Sequence, residues 1–133
     1  MGNYSAASGY AAAQSLLAAG ARFTALFISN ATVAFGAVAA LREHGRRIPE
    51  DVAVVGYDDV PLAAYAAPPL TTVRSPAVEY GRLAAEMLIK LIRGEVVAEP
   101  QLALELIVRA SCGTPPAQPS SSSDSGVASS SIR

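Results

Sequence analysis

The sequence is poor in the side chains that carry redox, metal and disulfide chemistry. It holds one cysteine, one histidine and no tryptophan in 133 residues. A lone Cys112 excludes an intrachain disulfide and fits a reducing, cytoplasmic setting. One histidine and one cysteine are too few for a zinc site of those ligands, so neither metal nor cofactor is expected. Charge is also sparse, at 16% of residues, and the ten basic side chains nearly cancel the eleven acidic ones. The basic residues are scattered. Arg46-Arg47, the only adjacent pair, reads as a solvated loop, and no basic footprint for nucleic acid is present. No apolar run approaches the roughly 20 residues of a membrane span. The opening MGNYSAASGY lacks the basic and apolar regions of a signal peptide. No G-x-S-x-G elbow and no Walker or Rossmann glycine loop occurs, and the chain is not expected to be an enzyme.

What the sequence does hold is apolar residues, 51% of the total, many of them alanine. Alanine favours helix and adds little buried area per residue. Residues 5–19 read as a helix capped by Ser5 and ended by Gly20. The run 24–29 reads as a short buried strand, and 31–44 as a second helix with Val33, Ala34, Ala37, Val38 and Leu41 on one face. Residues 52–57, Val-Ala-Val-Val-Gly-Tyr, are apolar on both faces, as in a parallel strand covered by helices. A helical turn at 61–66, a strand at 71–74, a long helix at 76–93 and a final strand at 102–109 follow. Ser75 is the expected cap of the long helix and Pro76 its first residue. Alternating strands and helices define an α/β class with a mainly parallel sheet. From about Thr114 the composition turns to Ser, Pro and Gly. The expected organisation is a domain over 1–113 and a disordered tail over 114–133.

In open α/β sheets ligands bind beyond the carboxyl ends of the strands. Ser29 and Asn30, Asp58 and Asp59, and Arg74 and Ser75 fall at such ends. Carboxylates accept from hydroxyl groups, and amides both donate and accept, which suits a sugar or polyol. Tyr4, Tyr57, Tyr65 and Tyr80 are available to cover the apolar face of a ring. Each candidate has a plainer alternative. Neighbours on a strand point to opposite faces, so Asp58 and Asp59 do not form a catalytic dyad, and either can serve a turn. Asn30 can simply cap the following helix. Tyr4 can cover a core edge. His44 reads as a solvated helix end.

Ile48-Pro49-Glu50-Asp51-Val52, Val55-Gly56-Tyr57-Asp58-Asp59, Pro69-Leu70-Thr71-Thr72-Val73-Arg74, and Leu106-Ile107-Val108-Arg109 with Ser111-Cys112 occur in this order. Together they resemble the LacI/GalR family of bacterial transcription regulators, from about Asn3 to Cys112. The resemblance implies the C-terminal part of a two-lobed, type I periplasmic-binding-protein-like core. It implies a sugar-like or polyol effector in the cleft and a homodimer. Operator DNA would be bound only through a helix-turn-helix headpiece that these residues do not include. By position, the resemblance assigns effector contacts to Asp58, Asn30, Tyr4 and Ser75. Ala31 and Asn3 depart from the family, which commonly has Asp at both places. The long helix, with Leu83, Ala84, Met87, Leu88, Leu91 and Ile92, is expected to expose an apolar face here, because its family partner is the other lobe. A sugar-binding protein of a transport system is the alternative that the same fold allows.

Overall fold

The computed structural model describes residues 3–113, and the tail expected at 114–133 lies outside them. Ser5 opens helix α1 (Ala6–Ala18), its side chain accepting from the Ser8 N–H at 3.1 Å. Strand β1 (Ala25–Phe27) leads to helix α2 (Ala31–Glu43) and strand β2 (Ala53–Tyr57). A 3-10 turn at Pro61–Ala64, strand β3 (Thr71–Arg74), helix α3 (Ala77–Ile92), strand β4 (Glu105–Ile107) and a second 3-10 turn at Ala110–Cys112 complete the described chain.

The four strands lie in sheet order β1-β2-β3-β4. The β1–β2 and β2–β3 pairs are parallel, and β4 runs antiparallel to β3. This is the mainly parallel α/β sheet that the alternation of elements predicts. The core gathers Leu41, Val52, Val54, Ala63 and Leu70 with Ala31 and Ala34. Each fully buried aliphatic side chain of Val or Leu size adds about 1.5–3 kcal/mol by leaving water.

Two glycines explain how alanine-rich helices pack so closely. A Cβ placed on Gly36 would stand 1.7 Å from the carbonyl oxygen of Ala6, and one on Gly9 would stand 2.0 Å from that of Val33. The backbones of α1 and α2 therefore touch directly, with Ala13, Ala37 and Ala40 filling the seam.

Three expectations need correction. First, β1 is not a buried strand: Ala25 and Phe27 on one face are exposed, Phe27 to 65%, while Leu26 on the other face is half-buried. Second, burial alternates along β2, with Val54 and Gly56 inside and Ala53, Val55 and Tyr57 half-buried, so one face of the sheet is not fully covered. Third, Ser75 does not cap α3; Pro76 occupies the cap position and no side chain bonds the first turn. Arg47 lies in a solvated loop as expected, and its Nε donates to Asp51 Oδ2 at 2.9 Å. As expected, α3 buries no residue at all.

Candidate functional site

Parallel pairing brings the carboxyl ends of β1 and β2 side by side. The register places Phe27 opposite Val55. Counting the same number of residues onward from each reaches Asn30 and Asp58. Asn30 is extended (φ −153°) and caps α2, its Oδ1 accepting the N–H groups of Thr32 at 2.8 Å and Val33 at 3.3 Å. Its Nδ2 points across to Asp58 Oδ2 at 3.4 Å, a long contact. Asp58 sits in the left-handed region (φ 64°), where Asp and Asn are the side chains best tolerated after glycine. Its N–H is held by the carbonyl of Val73 at 3.0 Å.

Asp59 has the opposite fate. Its side chain is only 6% exposed. Arg74 reaches it through Nε at 2.9 Å and Nη2 at 2.6 Å. Arg109 Nη1 stands 2.7 Å from the other oxygen, Oδ1. That Arg109 nitrogen donates to the carbonyl of Leu70, also at 2.7 Å. It faces Oδ1 as a charge but off the hydrogen-bonding direction, which leaves Oδ1 without a well-aligned donor. The Arg109 guanidinium, and then Arg74, hold the Asp59 carboxyl below the usual carboxylate range, against the opposing effect of burial. Arg74 also pairs with Glu105 at 3.1 Å. The two neighbouring carboxylates therefore divide their work. Asp59 ties β2 to β3 and to the chain after β4, while Asp58 remains at the rim.

The structure brings Asn30 and Asp58 together. It does not draw Tyr4 and Ser75 into the same hydrogen-bond network. Tyr4 is 72% exposed and left-handed (φ 55°). Ser75 is half-buried, and its carbonyl accepts the Ala77 N–H. The larger surface hollows lie elsewhere. One of about 590 Å³ is lined by Arg22, Thr24, Arg46 and Asp51 at the amino ends of the strands. The rim is nonetheless the candidate site, since convergent polar groups at the carboxyl ends, rather than empty volume alone, are what orient a ligand.

Sequence reasoning missed two features. One is the Asp59–Arg74–Arg109 cluster. The other is Ser111, fully buried, whose hydroxyl donates to Val54 O at 2.6 Å and accepts Thr71 N–H at 2.8 Å. Arg74 at a strand end beside Asp59 was a signal for the first. Nothing local marks the second, because its partners lie far away in sequence.

An open, mainly parallel sheet with a polar pair at its carboxyl rim fits the class of periplasmic-binding-protein-like α/β domains. Residues 1–112 match the family described as periplasmic binding protein-like domain. The CelR transcriptional regulator of Thermobifida fusca is 42% identical over 112 residues, covering 83% of this chain and 33% of that protein. The ribose operon repressor of Haemophilus influenzae is 46% identical over 80 residues, 60% of this chain and 24% of that protein. Among solved structures, the Lac repressor dimer bound to operator and the anti-inducer ONPF superimposes with a TM-score of 0.78 at 33% identity, over 85% of this chain and 34% of that one. A CelR–cellobiose complex gives a TM-score of 0.74 at 40% identity, over 83% of this chain and 34% of that one. The chain belongs to the LacI/GalR family, and the part it represents is that family's periplasmic-binding-protein-like domain. It spans about a quarter to a third of the length of these relatives.

Proposed function

We propose that residues 1–113 form part of the effector-binding and dimerisation core of a cytoplasmic transcription regulator, with a sugar or related polyol as the effector. The observation that carries this reading is the Asn30–Asp58 pair, a donor beside an acceptor where adjacent parallel strands end. Tyr4 and Ser75 complete the proposed contacts by family position rather than by hydrogen bonding to the pair. A relative solved with cellobiose supports the class of ligand, and relatives solved as Lac repressor dimers support a homodimer. DNA contact is assigned to a headpiece outside these residues. Effector binding would then alter operator affinity through a coupling free energy between separate sites. Relatives that are regulators favour this over catalysis, and no cofactor or metal enters the reading.

A thermal-shift screen of sugars and polyols tests it. At least one neutral polyhydroxylated compound is expected to raise the unfolding midpoint, since a ligand that binds only the folded state stabilises it. Asp58→Ala is expected to abolish that shift. A shift that survives the substitution would remove Asp58 from the site.

A further inference from the structure

The hollow of about 590 Å³ at the amino ends of the strands lies at the opposite end of β1 and β2 from Asn30 and Asp58. Hydrogen-bonded turns frame it. The Ala21 N–H closes the end of α1 on Leu16 O at 3.1 Å, and the Arg46 N–H closes the end of α2 on Leu41 O at 2.9 Å. The Ala53 N–H donates to Thr24 O at 2.9 Å and joins the starts of β1 and β2. The Val52 N–H donates to Arg47 O at 3.2 Å. The frame of the hollow is therefore largely preformed, as ligand pockets usually are.

Its charge is one-sided. Arg22, Arg46 and Asp51 are the charged residues that line it. Asp51 is already engaged by Arg47, which donates its N–H at 2.8 Å and its Nε at 2.9 Å. Those bonds hold the Asp51 carboxyl well below the usual carboxylate range, and the Arg46 charge adds to the effect. Among the described residues the Arg22 and Arg46 side chains have no ion-pair partner. The ends of α1 and α2 reach this pole and oppose an anion there, each by about half an elementary charge. Two whole positive charges exceed them. Thr24 adds a hydroxyl, and half-buried Leu17 and Phe23 add an apolar wall. The adjoining hollow of about 480 Å³ shares Arg46 but holds Glu50, whose carboxylate repels an anion.

We propose that the larger hollow binds a phosphoryl group, free or carried by a small phosphate monoester. Arg22 and Arg46 are its cations and Thr24 is its neutral donor. Guanidinium N–H groups match phosphate oxygens in geometry and charge. Leu17 and Phe23 cover the body of an ester. The site goes beyond the effector reading, since its ligand is charged and binds at the other pole of the sheet.

Inorganic phosphate and phenyl phosphate are the probes. Each is titrated into the full chain at mildly alkaline pH, with sodium chloride at matched ionic strength as the reference, and followed by NMR. Saturable shifts are expected at the amides of Arg22, Phe23 and Thr24 and at the Nε–H of Arg22 and Arg46. Arg46→Gln is expected to weaken binding about tenfold, the loss of one charge-assisted contact. Arg93→Gln, at the end of α3 and outside the hollow, is expected to leave binding unchanged. Tighter binding of the monoester points to an ester as the ligand, and equal binding to free phosphate; either supports the site. Shifts that follow ionic strength alone, shifts spread over all the exposed arginines, or an Arg46→Gln titration identical to that of the wild type overturn it. Arg46 is exposed, so its replacement is expected to leave the fold intact. Should that variant fail to fold, the map of shifts in the wild type still decides. An empty sugar screen leaves this titration untouched, and an absent phosphate response leaves the rim untouched.

Discussion

Helices α2 and α3 reverse the usual relation between apolar content and burial. The apolar positions of α2 are mostly alanine, yet Ala31, Ala34, Gly36, Ala37, Ala40 and Leu41 are all buried. The larger side chains of α3 include Val78 at 89% exposure and Ile92 at 77%, and none of its residues is buried. Leu83 and Met87 are partly sheltered, in a hollow shared with Val96, Val97 and Pro100. The difference lies in the neighbours. α2 is clamped between α1 and the sheet, whereas among the described residues the stripe on α3 has no element of comparable size against it. An apolar stripe states that a helix wants a partner. It does not say that the partner is within reach. Substitutions that probe close packing should therefore be severe in the first region and mild in the second.

The largest expected effect is from Gly36→Ala. The added methyl would overlap the Ala6 carbonyl, and backbone atoms on two packed helices cannot step aside cheaply. A loss of about 3 kcal/mol or more is expected in denaturant unfolding. A loss below about 1 kcal/mol, the ordinary range for an uncrowded position, would show that the α1–α2 seam is looser than described.

Asp59→Asn should come next. It keeps the shape of the side chain and removes the charge that Arg74 and Arg109 face. Both arginines retain some contact with water, so the expected cost is about 2 kcal/mol, below that of breaking a sealed pair. The pH dependence has a definite sign. Asp59 has a folded pKa below its unfolded value, so its stabilisation is complete at neutral pH. It is lost as pH falls from the ordinary carboxylate value through the depressed folded one. Acid titration of stability should be steeper in the wild type than in Asp59→Asn. Parallel acid limbs would remove Asp59 from the account of acid sensitivity.

Ser111→Ala is a test of similar size in the same well-packed region. It strands the Val54 carbonyl and the Thr71 N–H in a dry interior, with an expected cost of about 1–3 kcal/mol. Slow amide exchange at Thr71 should also be lost.

Local signals make the caps of α1 and α2 readable in the sequence. Ser5 and Asn30 are the residue types whose short oxygens reach the first N–H groups of a helix. Ser75 had the same credentials, but the helix begins a residue later than expected and Pro76 takes the cap position. The mainly parallel pairing followed from the alternation of elements. Exposure of β1 did not, because a strand's sequence does not reveal whether another element covers each of its faces. At the candidate site, residue type marked Asn30 and Asp58, and family position added Tyr4 and Ser75. What stayed hidden were the contacts between distant residues, such as Asp59 with Arg109 and Ser111 with Val54.

Gly81→Ala closes the contrast, with the smallest change and the opposite sign to Gly36→Ala. Gly81 lies within α3, and a Cβ built there meets nothing within 4 Å. Alanine lowers the conformational entropy of the unfolded chain and favours helix, so a gain of about 0.5–1 kcal/mol is the upper expectation for the helix itself. Because α3 has little to pack against, much of that gain should appear as local helicity and slower amide exchange within α3 rather than as a higher global midpoint. The same one-carbon addition would thus break one glycine helix and firm the other. If Gly81→Ala were instead as damaging as Gly36→Ala, α3 would have to be closely covered in solution, and the contrast between the two helices would fail.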